Sequence, residues 1–175
     1  MSSTRKVLAV VLVVLGFLAF PGRAVADVPV GPPRPVACPP GTEDPRTYSG
    51  PLASYRCHSA VVDPTGRTVV LRQGRSGPSA FGMLHALLDH NVQDHVIERV
   101  VSSAFPISAP GGRVRYIAEF RHDGFGVMAV WVEVDRSPSK DAPDAQPFGV
   151  VTAYCKVPAR ANVENLCPEW VNDSL

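Results

Sequence analysis

The stretch 113-RVRYIAEFRHDGFGVMAVWVEV-134 decides the fold. Val114, Tyr116, Ala118 and Phe120 alternate with Arg113, Arg115, Glu119 and Arg121, the period of a strand with one buried and one wet face. Val127 to Val134 is a more apolar strand, and His122-Asp123-Gly124-Phe125-Gly126 joins the two. A tight Asp-Gly turn would put Glu119 on the same face as Met128, Val130 and Val132. A five-residue loop sets Phe120 beside Met128 instead, and the hydrophobic pattern selects that register.

Working outward, Asp135 to Pro147 reads as a polar loop with three prolines, and Phe148 to Cys155 as a third strand. On that strand Val150, Thr152 and Tyr154 are expected on one side, with Val151, Ala153 and Cys155 on the other. Upstream, 81-FGMLHALLDHNVQDHVIERVV-101 is helical. Phe81, Leu84, Leu87 and Leu88 recur at spacings of three and four, and Asn91 is expected to end a first helix. Asp94 is placed to accept from amides at the start of a second helix. Val96, Ile97, Val100, Val101 and Ala104 continue the apolar stripe until Pro106 and Pro110-Gly111-Gly112 stop it. Arg99 reads as a helix-surface charge within reach of Asp94 or Glu98. Further upstream, Ser54 to Val62 and Arg67 to Leu71 read as short strands around an Asp63-Pro64-Thr65-Gly66 turn. The expected fold is α+β: two consecutive helices on an antiparallel sheet of three to five strands.

The amino terminus carries a different message. Arg5 and Lys6 precede an apolar run from Val7 to Phe20, Pro21-Gly22 breaks it, and Ala24-Val25-Ala26 supplies a small-x-small pattern. That order reads as a cleavable signal peptide over 1–26, with general export to the outside of a bacterial-type cell. The apolar run falls short of the roughly 18–20 residues needed to span a bilayer, so no membrane anchor is expected after processing. Arg5 has no arginine twin and no cysteine lies near the cleavage point. Residues 27–51 form a Pro/Gly-rich irregular arm, and 52–175 a single globular domain. The chain has 17 basic and 16 acidic residues; losing Arg5, Lys6 and Arg23 with the leader gives a net charge of −2. General attraction to nucleic acid is thereby excluded, and any such binding needs a local patch.

Cys38, Cys57, Cys155 and Cys167 make an even count in an exported chain, which reads as two disulfides. Three pairings are open; Cys38–Cys57 with Cys155–Cys167 closes the shortest loops. The chain lacks a Gly-x-Ser-x-Gly elbow, a phosphate-cradling Gly-x-x-x-x-Gly-Lys and a Gly-x-Gly-x-x-Gly after a strand, so neither a nucleophilic serine nor a nucleotide cofactor is expected. His85, His90 and His95 recur every five residues, which on a helix separates neighbours by about 140°. The i, i+4 histidine pair of a zinc protease is missing, and a metal site would require a helix break near Asn91.

The order of helices, charged strand 113-RVRYIAEFR-121, apolar strand 127-VMAVWVEV-134 and final strand 149-GVVTAYC-155 resembles the small endoribonuclease toxin domains of the barnase-like, EndoU-like and RelE-like group. The likeness spans about residues 79–155. His85 and His90 match a His-x(4)-His helix motif, and Thr152 and Tyr154 match a Thr-Ala-Tyr strand motif. The resemblance implies metal-independent cleavage of RNA with His90 as base or acid, His85 assisting, Arg115 holding phosphate, and Thr152 and Tyr154 lining the site. The residue types suit that chemistry. Histidine titrates near neutrality, arginine binds two phosphate oxygens at once, and hydroxyls donate to phosphate. Asp89 departs from the pattern, standing where many relatives carry a basic residue. The competing classes are an exported binding or inhibitor-type protein, whose partner is an extracellular protein, and a metal-dependent hydrolase. Convergence of His90, Thr152, Tyr154 and an arginine in one cleft marks the nuclease, whereas an exposed apolar patch and scattered histidines mark the binding protein.

Overall fold

The computed structural model describes residues 30–156 and 166–174; the leader read at 1–26 lies outside the described residues. The fold is α+β, with antiparallel strands in two sheets. The first sheet holds β1 (Pro35–Val36), β2 (Cys57–Val62) and β3 (Thr68–Arg72) in the order β1-β2-β3. The second holds β4 (Ile107–Ser108), β5 (Val114–His122), β6 (Gly126–Pro138) and β7 (Pro147–Lys156) in the order β4-β5-β6-β7. Between them in sequence come α1 (Gly82–His90) and α2 (Asp94–Ser103), and a short α3 (Glu169–Asn172) follows β7. Each sheet falls within the expected three to five antiparallel strands, the chain forming two such sheets, and β3 packs against β7 where they meet. Gly149 makes that approach feasible: a Cβ there would lie 2.1 Å from the Val70 carbonyl oxygen, and its φ is +87°.

The hairpin register follows the hydrophobic pattern. Phe120 pairs with Met128, and Tyr116, Ala118, Phe120, Val130, Val132 and Val134 all enter the main core. α2 contributes Val96, Ile97, Val100 and Val101 to that core, each at most 1% exposed. Burying each such side chain stabilises the fold by about 1.5–3 kcal/mol. α1 departs from the expected stripe. Phe81 is its buried N-cap residue, but Gly82 and Ala86 form its inner face and Leu88 is 61% exposed. Small residues let the α1 backbone lie close to β7 and β3, so its leucines are not needed beneath it. Asn91 ends α1 in the left-handed conformation, φ +53° and ψ +44°, as its position suggested.

Two buried polar hubs join the parts. Asp63, in the turn between β2 and β3, accepts from the Thr65 hydroxyl at 2.6 Å, the Arg67 amide at 3.0 Å and the Tyr116 hydroxyl at 2.8 Å. Burial alone would raise its carboxyl pKa, but these donors hold it below the ordinary value. Arg72 is fully buried and donates to the carbonyls of Tyr55, Pro147 and Phe148 and to both oxygens of Asp144. Tyr48 donates its hydroxyl to the same aspartate. The expected strand at Ser54–Arg56 is instead the end of a 3-10 turn, Gly50–Tyr55, leading into β2. Arg99 pairs with neither Asp94 nor Glu98. Its guanidinium donates to the carbonyls of Val30 at 3.1 Å, Gly31 at 3.3 Å and Ser174 at 3.2 Å, which need donors beside α2.

The disulfides are Cys38–Cys57 and Cys155–Cys167. Among the described residues, no helix is long and apolar enough to cross a membrane.

Candidate functional site

One face of the second sheet packs on the core; the other carries most of the chemistry. β5, β6 and β7 present Arg115, Trp131, Glu133, Thr152 and Tyr154 on that outer face, aligned by the pairs Arg115↔Glu133, Glu133↔Thr152 and Trp131↔Tyr154. Glu133 is the centre. Its Oε1 accepts from Arg115 Nη2 at 2.6 Å and from the Tyr154 hydroxyl at 3.2 Å, while Arg113 Nη1 lies 3.7 Å from Oε2. Arg115 Cζ also sits 4.3 Å from the Trp131 ring centre, and Lys156 Nζ lies at the same distance from that ring. The partly buried indole thus attracts two cations, an interaction of about 0.5–2 kcal/mol each.

α1 brings the histidines to the β7 side of this face. The His90 ring centre is 5.9 Å from that of Tyr154, and the His85 and His90 rings meet edge to face at 4.9 Å. Their helical offset of about 140° predicted separation. His90 is the last residue of α1, however, and helical side chains lean toward the N-terminus, so its ring tilts back toward His85. Asp89 has a role that its sequence position concealed: its Oδ2 lies 2.6 Å from His85 Nδ1. A carboxylate on Nδ1 fixes the ring and favours the tautomer with an accepting Nε2.

The structure therefore places His85, His90, Tyr154, Thr152 and Arg115 along one continuous surface. Thr152 Oγ1 is buried there without a hydrogen-bond partner, opposite Glu133. Val150 does not share the side of Thr152 and Tyr154. A register shift between the Glu133↔Thr152 and Val134↔Val150 pairs turns Val150 into the core with Ala153 and Cys155. Glu133 escaped the sequence reading because it continues the alternation of β6 as an ordinary wet-face residue. Its signal was its register opposite Arg115, which follows once Phe120 is paired with Met128.

The tail locks the histidine end in place. Cys167 N donates to the His90 carbonyl at 2.8 Å, and Asn91 Nδ2 donates to the Cys167 carbonyl at 2.8 Å. Asn172 accepts from the Gln93 amide at 3.1 Å and donates to the Asn91 carbonyl at 3.0 Å. The Cys155–Cys167 bridge starts one residue after Tyr154, so the covalent tie and the two aromatic rings form one assembly.

His95 lies elsewhere, beside Asp94, while His58 Nε2 lies 2.8 Å from Asp94 Oδ2. His122 packs with Phe125 and Trp170. Although α1 does break at Asn91, no group of three or more His, Cys, Asp or Glu side chains among the described residues is arranged to hold a metal ion. No protein family, curated protein or solved structure matches this chain.

Proposed function

We propose that the protein is an exported, metal-independent endoribonuclease whose site is the outer face of the second sheet. The observation that carries this reading is the chain of side chains from the His85–His90 pair through Tyr154 to Glu133 and Arg115. It unites proton-transfer groups with a guanidinium on one surface. The two disulfides suit an oxidising compartment and so favour export.

The chemistry is a transesterification. One imidazole takes the proton of a ribose 2′-hydroxyl as that oxygen bonds to phosphorus. The bond from phosphorus to the 5′-oxygen breaks, and the other imidazole returns a proton to the leaving oxygen. His85, oriented by Asp89 with Nε2 as acceptor, suits the base, and His90 the acid. Arg115 uses Nε and Nη2 on Glu133, and its five-donor fork has further N–H groups for a phosphate oxygen. Tyr154 commits its hydroxyl proton to Glu133 and flanks His90 with its ring, while the Thr152 hydroxyl lies buried opposite Glu133. Glu133 keeps the two arginines in place and tempers their charge, which agrees with a chain of low net charge that binds RNA at one patch.

The test is cleavage of a fluorescent RNA by the oxidised protein in EDTA, beside His90→Ala and His85→Ala. Cutting by the parent, reduced roughly 10²–10⁴-fold in either variant, is the expected result for loss of a general acid or base. A second reading, an exported binding protein, is favoured by Phe125, which is 68% exposed and stacks on Trp170 at 6.3 Å. Equal, negligible cutting by all three proteins would move the reading there.

A further inference from the structure

Beside the proposed reaction surface, a cleft of about 260 Å³ opens among β7, the end of the Gly50–Tyr55 turn and the loop from Arg75 to Phe81. Its floor is aromatic: Phe81 lies 4.7 Å from Phe148 and 5.1 Å from Tyr55, ring centre to ring centre. Its rim is charged, with Arg75 and Arg113 facing Asp135 and Asp141. We propose that this cleft holds one unstacked nucleobase of the RNA, next to the phosphate that is cut. The proposal rests on the ribonuclease reading for its biological meaning, but the cleft's chemistry stands by itself.

The fit is to a planar ring with a polar edge. Whole drug-sized ligands occupy pockets of about 300–1,000 Å³, so this volume suits one ring system rather than a dinucleotide. Protein recognition of single-stranded RNA works by splaying bases onto aromatic or guanidinium planes and bonding their edges. The guanidinium of Arg75 and the partly exposed ring of Phe148 offer the planes, with Phe81 and Tyr55 buried beneath them. Arg75 Cζ lies over the Phe81 ring at 5.5 Å, and the Tyr55 hydroxyl donates to Asp141 Oδ2 at 3.3 Å, which aims that carboxylate. Carboxylates take the N–H donors of a base edge and guanidinium groups serve its carbonyl or ring-nitrogen acceptors. Mixed signs on the rim also argue against a bare phosphate, which two aspartates would repel.

The cleft is built rather than incidental. Arg75 and Phe81 exchange both backbone hydrogen bonds, at 2.9 and 3.0 Å, and close the loop that carries the rim. Gly74 makes that closure feasible, since a Cβ there would lie 2.0 Å from the Phe81 carbonyl oxygen. Ser79, on the same loop, holds φ +57°, a conformation that costs a non-glycine residue free energy and that clusters at ligand sites. Arg113 links the two places: it lines the cleft and lies 3.7 Å from Glu133. Val151 lines it too, one residue before Thr152.

The experiment has two arms. Each of the four nucleosides, which carry no phosphate, is titrated into the oxidised protein at millimolar concentration while backbone amide resonances are followed. In parallel, cut positions are mapped on a mixed-sequence RNA for the parent and for the double variant Arg75→Ala, Asp141→Asn, both exposed positions. We expect saturable shifts at Phe81, Phe148 and Val151 with at least one nucleoside, and a matching base preference at the cut. The double variant should lose the shifts and about tenfold of that preference while still cutting RNA. Shifts without any RNA cleavage would uphold the cleft and overturn the ribonuclease reading. Cleavage whose base preference survives in the double variant, with no nucleoside shifting these amides, would overturn the cleft and leave the ribonuclease reading intact.

Discussion

Asp89 shows how a single residue changes meaning between sequence and structure. As a charge beside His90 it opposes RNA; as the partner of His85 Nδ1 at 2.6 Å it orients a base. Asp89→Asn should leave stability within about 0.5 kcal/mol, since the carboxylate is over a third exposed and such pairs contribute little. RNA cleavage should nevertheless fall about tenfold, less than the roughly 10²-fold minimum expected for removing an imidazole. Urea unfolding and initial rates on the same preparation check both halves; a stability loss that matched the rate loss would make Asp89 merely structural. Arg72 lies at the other extreme. Its guanidinium is buried among three carbonyls and Asp144, so Arg72→Met should destabilise by about 3–5 kcal/mol, because it strands a buried carboxylate and those carbonyls. A change below about 1 kcal/mol in urea unfolding, no more than an exposed ion pair contributes, would contradict that account.

At the scale of elements, the Cys155–Cys167 bridge and α3 hold the end of α1 against β7. Replacing both cysteines with serine opens a loop of 12 residues' separation and should cost about 3 kcal/mol in the chain-entropy account. Removing Cys38 and Cys57, 19 apart, should cost a similar amount. The two pairs should part company in activity measured well below the melting temperature. The first should lose RNA cleavage because His90 loosens from Tyr154, and the second should keep it; equal losses would argue against the clamp. Much of this organisation was legible in the chain. The alternation from Val114 to Phe120 gave the strand, its face and, through Phe120 opposite Met128, the register that carries Arg115 to Glu133. Asn91 gave the helix break, and loop length favoured the disulfide pairing. The inversion of Val150 was not legible, because a register shift is a backbone event that strict alternation cannot express; Gly149 was its only mark. The exposure of Leu88 was hidden for a similar reason, since α1 packs by the smallness of Gly82 and Ala86 rather than by its leucines.

For the whole molecule, the polar hubs predict a stability profile with two edges. Desolvation pushes up the pKa of Asp63 and Asp144 in the hubs, and also that of the part-exposed Asp94 at the start of α2. Hydrogen bonds from Thr65, Arg72 and His58 respectively, joined by neighbouring donors, bring each below the ordinary 3.8. Their stabilisation is therefore fully present above about pH 4 and is lost as pH falls through the folded-state values. Tyr48 and Tyr116 are pushed from 10.0 up to about 12, mainly by burial, with Asp144 and Asp63 as accepting partners. The unfolded chain ionises these phenols first, so stability should decline from about pH 10 toward pH 12. Melting temperature against pH should show a plateau between those edges, and Tyr116→Phe should soften the alkaline one. A protein equally stable at pH 3 and pH 7 would contradict the role given to the three aspartates.

The most direct measurement of the central claim is the chemistry of the cut ends. RNA is incubated with the oxidised protein in EDTA and the fragments are weighed by mass spectrometry. Proton transfer by His85 and His90 with attack by the 2′-oxygen predicts a 2′,3′-cyclic phosphate or its opened product on one fragment and a 5′-hydroxyl on the other, both absent with His90→Ala. Fragments ending in 3′-hydroxyl and 5′-phosphate, or the same fragments from His90→Ala, would contradict it.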